Sequence, residues 1–342
     1  MKKLRVLVLM HADLVPPETV TDADLSTVEW KTEYHVLSTV RELGHEALDV
    51  GVRDDLLEIR KAVDEWKPHI VFNLLEEFSG VAIYDQNIIS YLELLGVPYT
   101  GCNPRGLMLA RDKELAKKIL HYHRIPIPEF ITVPLGRAVK RPKDLAFPLI
   151  VKSVSEEASL GISQASIVEG DDKLQERVTF IHQSVGTGAL VERYIDGREL
   201  YVGVLGNRRL QVLPVWELNL DKMPDEARRI ATERVKWSRK YQLKYGVASG
   251  EAKELGEGMA EKIQEFARRV YRDLGLSGYA RIDFRLDPAG QIYVLEANPN
   301  PQIAKGEDFA DSAAQAGLSY PLLLQRILDL GLSWRLSTLA EG

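Results

Sequence analysis

The segment 293–310, "YVLEANPNPQIAKGEDFA", joins the end of an apolar strand to a polar, turn-rich loop. Glu296 and Asn298 are two positions apart in the strand, so their side chains point to the same face. The loop that follows carries charges of both signs, among them Glu307 and Asp308. An acid and an amide at the end of a buried strand indicate a binding site, because such sites form where loops leave a rigid scaffold.

The same strand is predicted to pair with the preceding segment "GYARIDFRL" through a turn at 287–290. Counting back from that turn, Arg281 faces Glu296 and Asp283 faces Val294. The polar side chains that then share one face are Arg281, Asp283, Glu296 and Asn298. Carboxylate and amide oxygens suit magnesium, and an arginine beside them can hold a phosphate or an oxyanion. The alternative is a surface hairpin in which Arg281 and Glu296 only form a salt bridge.

Composition excludes several classes of protein. The chain has 342 residues, 45% of them hydrophobic and 27% charged, which is ordinary for a globular protein of two or three domains. The net charge of -6 argues against a nucleic-acid partner. The sequence has no apolar run of about 20 residues, so we expect no membrane span, and the short apolar start is interpreted as a strand rather than a signal peptide. Cys102 is the single cysteine, which favours a reducing, cytoplasmic location.

The first part of the chain alternates buried strands with helices. Residues 4–10 form a continuous apolar run, and Val36, Val40 and Leu43 follow at helical spacing before Gly44. A second helix and another apolar run repeat the pattern. This alternation predicts βαβ units and a parallel sheet, and therefore an α/β domain over residues 1–108.

The rest of the chain is predicted to be α+β, divided into residues 109–191 and 192–342. Asp112 can cap a helix that runs to about residue 123. Other elements are a strand ending at Lys152, a strand–turn–strand over 190–207, amphipathic helices over 261–275 and 320–330, and long loops with short elements over 219–254.

Two further patterns suit a nucleotide. Lys152 ends an apolar strand, and the small-residue loop after it contains Ser159 and Gly161, which let backbone amides approach an anion. In "VERYIDGREL", Glu192 follows a strand and precedes an aromatic and an aliphatic residue, which suits adenine, and Glu199 suits ribose hydroxyls. Each pattern alone is also typical of a solvated strand end.

Taken in order, these pieces resemble the ATP-grasp ligases, most closely the D-alanine–D-alanine ligase group, over about residues 60–330. The segments that carry the resemblance are "VPYTGCNPRGLMLARDK", "FPLIVKSVSEEASLGIS", "VERYIDGRELYVGVL", "GYARIDFRL" and "IYVLEANPNP". The resemblance implies an ATP-grasp fold, in which an N-terminal parallel βαβ domain precedes two α+β domains that clasp ATP. It also implies an ATP-dependent carboxylate–amine ligase with two Mg²⁺ ions, or Mn²⁺ instead, small-molecule substrates, and a homodimer as one assembly.

The resemblance also assigns roles to residues. Nucleotide binding falls to Lys113, Lys152, Ser159, Glu192, Tyr194, Ile195, Glu199 and Leu295, and metal binding falls to Asp283, Glu296 and Asn298. Arg281 would stabilise the tetrahedral intermediate, and Lys236 would belong to a loop that closes over the phosphates. The segment from Ser153 to Gly161 would form a flap over ATP.

Departures from the D-alanine ligase pattern fall in the substrate pockets. Ala158 and Trp237 replace a serine and a tyrosine of those ligases. Gln302, Glu307 and Asp308 stand where the second D-alanine is held. Glu33 is the nearest substitute for the N-terminal acid of those ligases. We therefore expect a related ligase with different substrates. The alternatives are a ligase acting on a peptide or protein terminus, and an ATP-binding module without catalysis.

Glu307 and Asp308 have two interpretations. Their charges would repel an amine substrate that carries a carboxylate, or they only begin the next helix, where acids favour the helix dipole. Lys305 is a candidate to neutralise one of them.

Overall fold

The computed structural model describes residues 2–20, 25, 28–155, 162–220, 222–224 and 228–334. The strands are β1 Arg5–His11, β2 Glu46–Val52, β3 Ile70–Asn73, β4 Phe130–Val133, β5 Leu149–Ser153, β6 Ile167–Val168, β7 Ala189–Arg193, β8 Arg198–Leu205, β9 Gln211–Asn219, β10 Ala248–Glu251, β11 Tyr279–Leu286 and β12 Ile292–Pro299. The helices are α1 Lys31–Glu42, α2 Leu56–Trp66, α3 Asp85–Leu94, α4 Pro104–Arg111, α5 Lys113–Tyr122, α6 Asp171–Phe180, α7 Glu233–Trp237, α8 Arg239–Tyr245, α9 Met259–Asp273, α10 Asp308–Gln315 and α11 Tyr320–Ser333. In this part of the chain, none of the helices has the length and apolar character needed to cross a bilayer.

The N-terminal sheet is parallel, in the order β2-β1-β3, which confirms the predicted βαβ units. The five central residues of β1 are fully buried, as expected for a strand with neighbours on both sides. Helix α1 packs Val36 and Val40 into the same core, and Gly44 follows it at a φ of 83°, a left-handed conformation that favours glycine. Helix α11 adds Leu324, so the end of the described chain stabilises its beginning.

Two antiparallel sheets form the remainder. The four-stranded sheet has the order β4-β7-β5-β6, with α6 packed on it through Leu174 and Val178. The five-stranded sheet has the order β10-β9-β8-β11-β12, and α9 covers one of its faces through Ile263 and Val270. Together with the parallel sheet, this arrangement is the predicted α/β and α+β combination.

The opposite face of the five-stranded sheet is polar where β8, β11 and β12 meet. In register, Asp283 lies beside Tyr201 on one side and Glu296 on the other, and Arg285 lies beside Glu199. Since neighbours in register point to the same face, the backbone alone brings these side chains together.

The predicted hairpin register was wrong by two residues. Leu286 pairs with Ile292, one residue from its predicted partner, whereas Asp283 lies opposite Glu296 and Arg281 lies opposite Asn298, two residues from theirs. The loop is longer than the assumed turn by one residue, and Leu295 adds a second shift because it is an extra residue in β12, a β-bulge. A shift of two keeps the alternation, so the four polar residues still share one face.

The turn-rich stretch expected near residue 100 is shorter than predicted. Helix α4 already begins at Pro104, where proline is favoured, and the Asn103 side chain accepts a hydrogen bond from the Gly106 N–H. The charged stretch 219–254 does consist of short elements, α7, α8 and β10, joined by loops.

Candidate active site

A cleft between the four-stranded and five-stranded sheets encloses about 780 Å³, part of it open to solvent. The predicted residues that line it are Lys113, Lys152, Glu192, Tyr194, Ile195, Glu199, Lys236, Asp283, Leu295 and Glu296. They come from α5, β5, β7, β8, α7, β11 and β12, or from the loops beside them, and most lie far apart in sequence. The structure thus brings most of the predicted nucleotide and metal residues into one cleft.

Helix α5 presents two lysines to the cleft side. The Asp112 side chain caps the helix by accepting the Leu115 N–H at 2.9 Å. Lys113 lies at the first position, with its Nζ 3.8 Å from Glu296 Oε2. Lys117 lies one turn later on the same face, and sequence reasoning missed it. Its i+4 spacing from Lys113 was the available signal.

Glu192 is the most enclosed acid of the cleft, with a side chain only 1% exposed. Lys152 Nζ lies 2.5 Å from its Oε1, and Lys117 Nζ lies 2.8 Å from its Oε2. Burial raises the pKa of Glu192, but the two lysines outweigh burial and hold that pKa below its ordinary value. The carboxylate expected to accept from adenine is therefore engaged by two ammonium groups.

Glu199 is held in place by two partners. Arg285 donates to its Oε2 at 2.7 Å, and the Tyr201 hydroxyl donates to its Oε1 at 2.9 Å. Arg285 also donates to the backbone carbonyls of Gly197 and Arg229. Sequence reasoning missed Arg285, although alternation along β11 places it on the face of Arg281 and Asp283.

Asp283 and Glu296 form a pair of neighbouring carboxylates with opposite pKa shifts. Burial raises the pKa of Asp283 to about 6, and Glu296 contributes to this against the opposing effect of Arg281. Burial also acts on Glu296, but Lys113 and Lys236 outweigh it and lower its pKa to about 2. Arg281 contacts both oxygens of Asp283, at 2.7 and 2.9 Å, rather than pairing with Glu296.

The donor set fits magnesium. Within the described residues there is no group of three His, Cys, Asp or Glu side chains that could hold a metal. The oxygen donors that the strand register places on this face are the carboxylates of Asp283 and Glu296 and the amide of Asn298. Two adjacent carboxylates, buried Asp283 and partly exposed Glu296, favour a cation between them, and Mg²⁺ commonly takes one or two protein carboxylates with phosphate and water.

The predicted substrate residues lie near the start of α10. Glu307 is the residue before the helix, and its Oε1 accepts a hydrogen bond from Lys31 Nζ at 2.9 Å. Asp308 is the first helical residue. Burial lowers the pKa of Arg281, but the charge and hydrogen bonds of Asp283, with smaller contributions from other neighbours, outweigh this effect and raise that pKa. The charge of Asp308 raises it too, more weakly. Both acids begin a helix, and Asp308 contributes the weakest of the charge effects on Arg281.

Other substrate expectations have different outcomes. Lys31, not Lys305, pairs with Glu307; the Lys305 ammonium lies over the Tyr320 ring, 5.3 Å from its centre. Gln302 is exposed. Glu33 is buried in α1, and burial raises its pKa to about 7. Ser159, Ala158 and the outer part of the expected flap lie outside the described residues.

Comparisons with known proteins identify the family of this chain. A family model described as "D-ala D-ala ligase C-terminus" matches residues 119–329. The D-alanine–D-alanine ligase of Desulfotalea psychrophila is 31% identical over 279 residues, which cover 80% of this chain and 81% of the relative. That of Desulforudis audaxviator is 30% identical, covering 86% and 90%. An uncharacterised Sinorhizobium fredii protein, y4sG, is 32% identical, covering 86% and 85%.

A solved structure shares the whole fold. The D-alanine–D-alanine ligase of Bacillus anthracis complexed with ATP superposes with a TM-score of 0.72 at 23% identity, covering 96% of this chain and 97% of that chain. The family match and the relatives of 30–31% identity show that the chain is an ATP-grasp enzyme, an ATP-dependent carboxylate–amine ligase. Within that class, the chain belongs to the D-alanine–D-alanine ligase family.

Proposed function

We propose that this ligase activates a carboxylate substrate as an acyl phosphate and transfers the acyl group to an amine that lacks a free carboxylate. The observation that carries the first part is the convergence of Lys113, Lys152 and Lys236 with the acids Asp283 and Glu296 in one cleft. Lysines offset phosphate charge, and neighbouring acids suit a metal that phosphates share.

The nucleotide would lie along this cleft. Tyr194 and Ile195 offer an apolar, largely buried edge for adenine, and Glu199 is positioned by Arg285 and Tyr201 to accept from the ribose hydroxyls. The lysines lie toward Asp283 and Glu296 and would contact the phosphates.

Asp283, Glu296 and Asn298 would hold magnesium. When bound, magnesium offsets negative charge on the transferring phosphoryl group. The protein groups around it do the rest: Lys113 and Lys236 neutralise Glu296 and the phosphates, and Arg281 is fixed by Asp283 and by the Tyr201 ring, whose centre is 4.5 Å from its guanidinium carbon.

The reaction has two steps. A carboxylate oxygen attacks the γ-phosphorus of ATP as the bond to ADP breaks, which yields the acyl phosphate. The amine then attacks the acyl carbon and loses a proton, the guanidinium of Arg281 stabilises the oxyanion, and phosphate leaves. Water has to be excluded meanwhile, because it would hydrolyse the acyl phosphate.

Asp308 supports the second part of the proposal. Glu307 is compensated by Lys31, whereas the charge of Asp308 acts on Arg281. At an effective dielectric near 20, like charges about 4 Å apart repel by roughly 4 kcal/mol, enough to exclude a substrate carboxylate beside Asp308. The amine substrate would instead present a cationic or hydrogen-bond-donating group, so D-alanyl-D-alanine would not be the product.

The first experiment screens pairs of carboxylates and amines for turnover and identifies the nucleotide product. ADP with phosphate is expected, and AMP with pyrophosphate would overturn the acyl-phosphate route. Efficient synthesis of D-alanyl-D-alanine by the wild type would overturn the amine assignment.

The second experiment compares D-alanine with D-alaninamide as acceptors in Asp308→Ser and Glu307→Ser. We expect Asp308→Ser to raise the kcat/KM ratio of D-alanine to D-alaninamide at least tenfold. Glu307→Ser is the matched control and should leave the ratio within threefold, because Lys31 already compensates that charge. If Asp308→Ser leaves the ratio unchanged, both acids only begin α10.

A further inference from the structure

Lys117 is a buried cation beside the nucleotide cleft. Its side chain is 3% exposed, and its Nζ contacts Glu192 Oε2 at 2.8 Å and the Leu295 carbonyl at 3.3 Å. It does not line the cleft surface, unlike Lys113 and Lys152. An enclosed ammonium group needs a specific partner, because burial of an uncompensated charge is strongly unfavourable.

Lys117 shares that partner with Lys152. The two lysines contact different oxygens of Glu192, and Lys152 is the more exposed of them, at 14%. Lys152 is also the one expected to contact the phosphates. Phosphates that contact Lys152 compete with Glu192, which is only 1% exposed, for its three N–H donors and its charge.

We propose that Lys117 is a positioning residue, the permanent counterion of Glu192, which frees Lys152 to move onto the phosphates when ATP binds. The inference rests on the proposed nucleotide site. Once Lys152 leaves, Lys117 alone compensates the Glu192 charge. Without Lys117, either Lys152 stays on Glu192 or the buried carboxylate is left uncompensated, and ATP binds more weakly in both cases.

The electrostatics agree with this division. Burial lowers the pKa of Lys117 and Lys152 adds to this, while Glu192 opposes them. Movement of Lys152 toward ATP removes the neighbouring cation, so Lys117 becomes a better counterion when it is needed. The hydrogen bond to the Leu295 carbonyl also anchors Lys117 to the backbone of β12.

The test measures Mg–ATP affinity by calorimetry in the absence of the carboxylate substrate. Lys117→Met keeps the chain length and apolar packing, and we expect its Kd for ATP to rise at least tenfold. In the Lys117→Met/Glu192→Gln double variant the carboxylate charge is also gone. Its Kd should return to within threefold of the Glu192→Gln single variant. Lys118→Met, an exposed neighbour on α5, is the matched control and should bind like the wild type.

The outcomes distinguish a failure of the proposed function from a failure of this inference. A wild type that does not bind ATP overturns the proposed function, whereas a Lys117→Met variant that binds as tightly as wild type overturns this inference alone. Equal weakening in the single and double variants would mean that Lys117 acts through packing, which also overturns it. If Lys117→Met alone does not fold, the double variant decides: it should fold and bind ATP as Glu192→Gln does, and failure contradicts the proposal.

Discussion

The pKa values of two acids on adjacent strands, Asp283 and Glu296, are shifted in opposite directions because their neighbours differ. Asp283 has its pKa raised to about 6 by burial, with Glu296 close by. Glu296 faces three lysines and has its pKa lowered to about 2. At neutral pH Glu296 therefore carries a full negative charge toward Lys113, which is the property that a metal ligand requires.

We expect Glu296→Gln to lower turnover at least 100-fold, because an amide cannot neutralise a cation as a carboxylate does. The fold should persist, with a melting temperature within a few degrees of wild type, since the exchange conserves shape. ADP release and thermal melting measure the two effects. Glu261→Gln, on the exposed side of α9, is the control and should change neither. A Glu296→Gln variant with most of its activity would mean that the acid only pairs with Lys113.

Residues of the site were predictable to the extent that they end strands or alternate along them. Asp283, Glu296 and Lys152 have that signal, and Arg285 shares it through the alternation of β11. The partners were not predictable, because each pair joins distant elements: Lys117 meets Glu192 from 75 positions away in sequence. The local sequence pattern predicts where a charged residue lies in its strand or helix. The packing of separate elements determines which opposite charge it contacts.

Helix α5 links a local capping interaction to the cleft. Asp112 ends the preceding segment in an extended conformation and accepts the Leu115 N–H, and the helix then places Lys113 and Lys117 one turn apart. The position of both lysines depends on how the first turn begins.

We expect Asp112→Ala to destabilise the protein by about 1 kcal/mol, the usual effect of removing such a cap. The KM for ATP should rise severalfold as well, because fraying of the first turn displaces Lys113. Asp112→Ser, which keeps a capping oxygen, should show little of either effect. Urea unfolding and the dependence of rate on ATP concentration measure them. A loss of stability with unchanged KM would mean that Lys113 does not depend on the cap.

The elements predicted best were those with strong periodicity. The apolar stripe of α9 and the buried run of β1 were clear in the sequence and are confirmed. The register of β11 with β12 was not, because an extra loop residue and the bulge at Leu295 leave no mark in a hydrophobic pattern. Strands β2 and β9 were missed, since both are largely half-buried and carry polar residues.

Across the whole molecule, the N-terminal region docks on the five-stranded sheet through close backbone contacts. The Cys102 N–H donates to Asn300 Oδ1 at 2.8 Å, and the Asn103 N–H donates to Ser277 Oγ at 2.9 Å. Gly278 has a φ of 69°, and a Cβ there would lie 2.3 Å from the Gly101 carbonyl oxygen. Only glycine lets the two segments approach this closely.

Stability should depend on pH through Glu33. Burial raises its pKa in the folded protein to about 7, from an ordinary value of 4.5. The unfolded chain therefore releases this proton first, so the contribution of Glu33 to stability falls as pH rises from about 4.5 to 7 and stays low above that. The full penalty is about 3 kcal/mol, at 1.36 kcal/mol for each unit of pKa.

We expect Glu33→Gln to be more stable than wild type at pH 8 and nearly equal to it at pH 4.5. Melting temperatures of both proteins across this range measure the difference, with Glu29→Gln, a neighbour in sequence just before α1, as the control. A difference that does not change with pH would show that Glu33 has the same pKa in the folded and the unfolded protein, which contradicts the prediction.

The bulge at Leu295 makes two successive side chains line the cleft, Leu295 and Glu296, although a regular strand would turn one of them away. A ligand with an apolar ring at one end and anionic groups at the other can therefore contact an apolar and a charged side chain from two successive residues of β12. The bulge also fixes the register of the two strands. A shift of β12 along β11 would force the extra residue into a regular ladder, where it has no partner. The register that the bulge sets places Asp283 directly opposite Glu296.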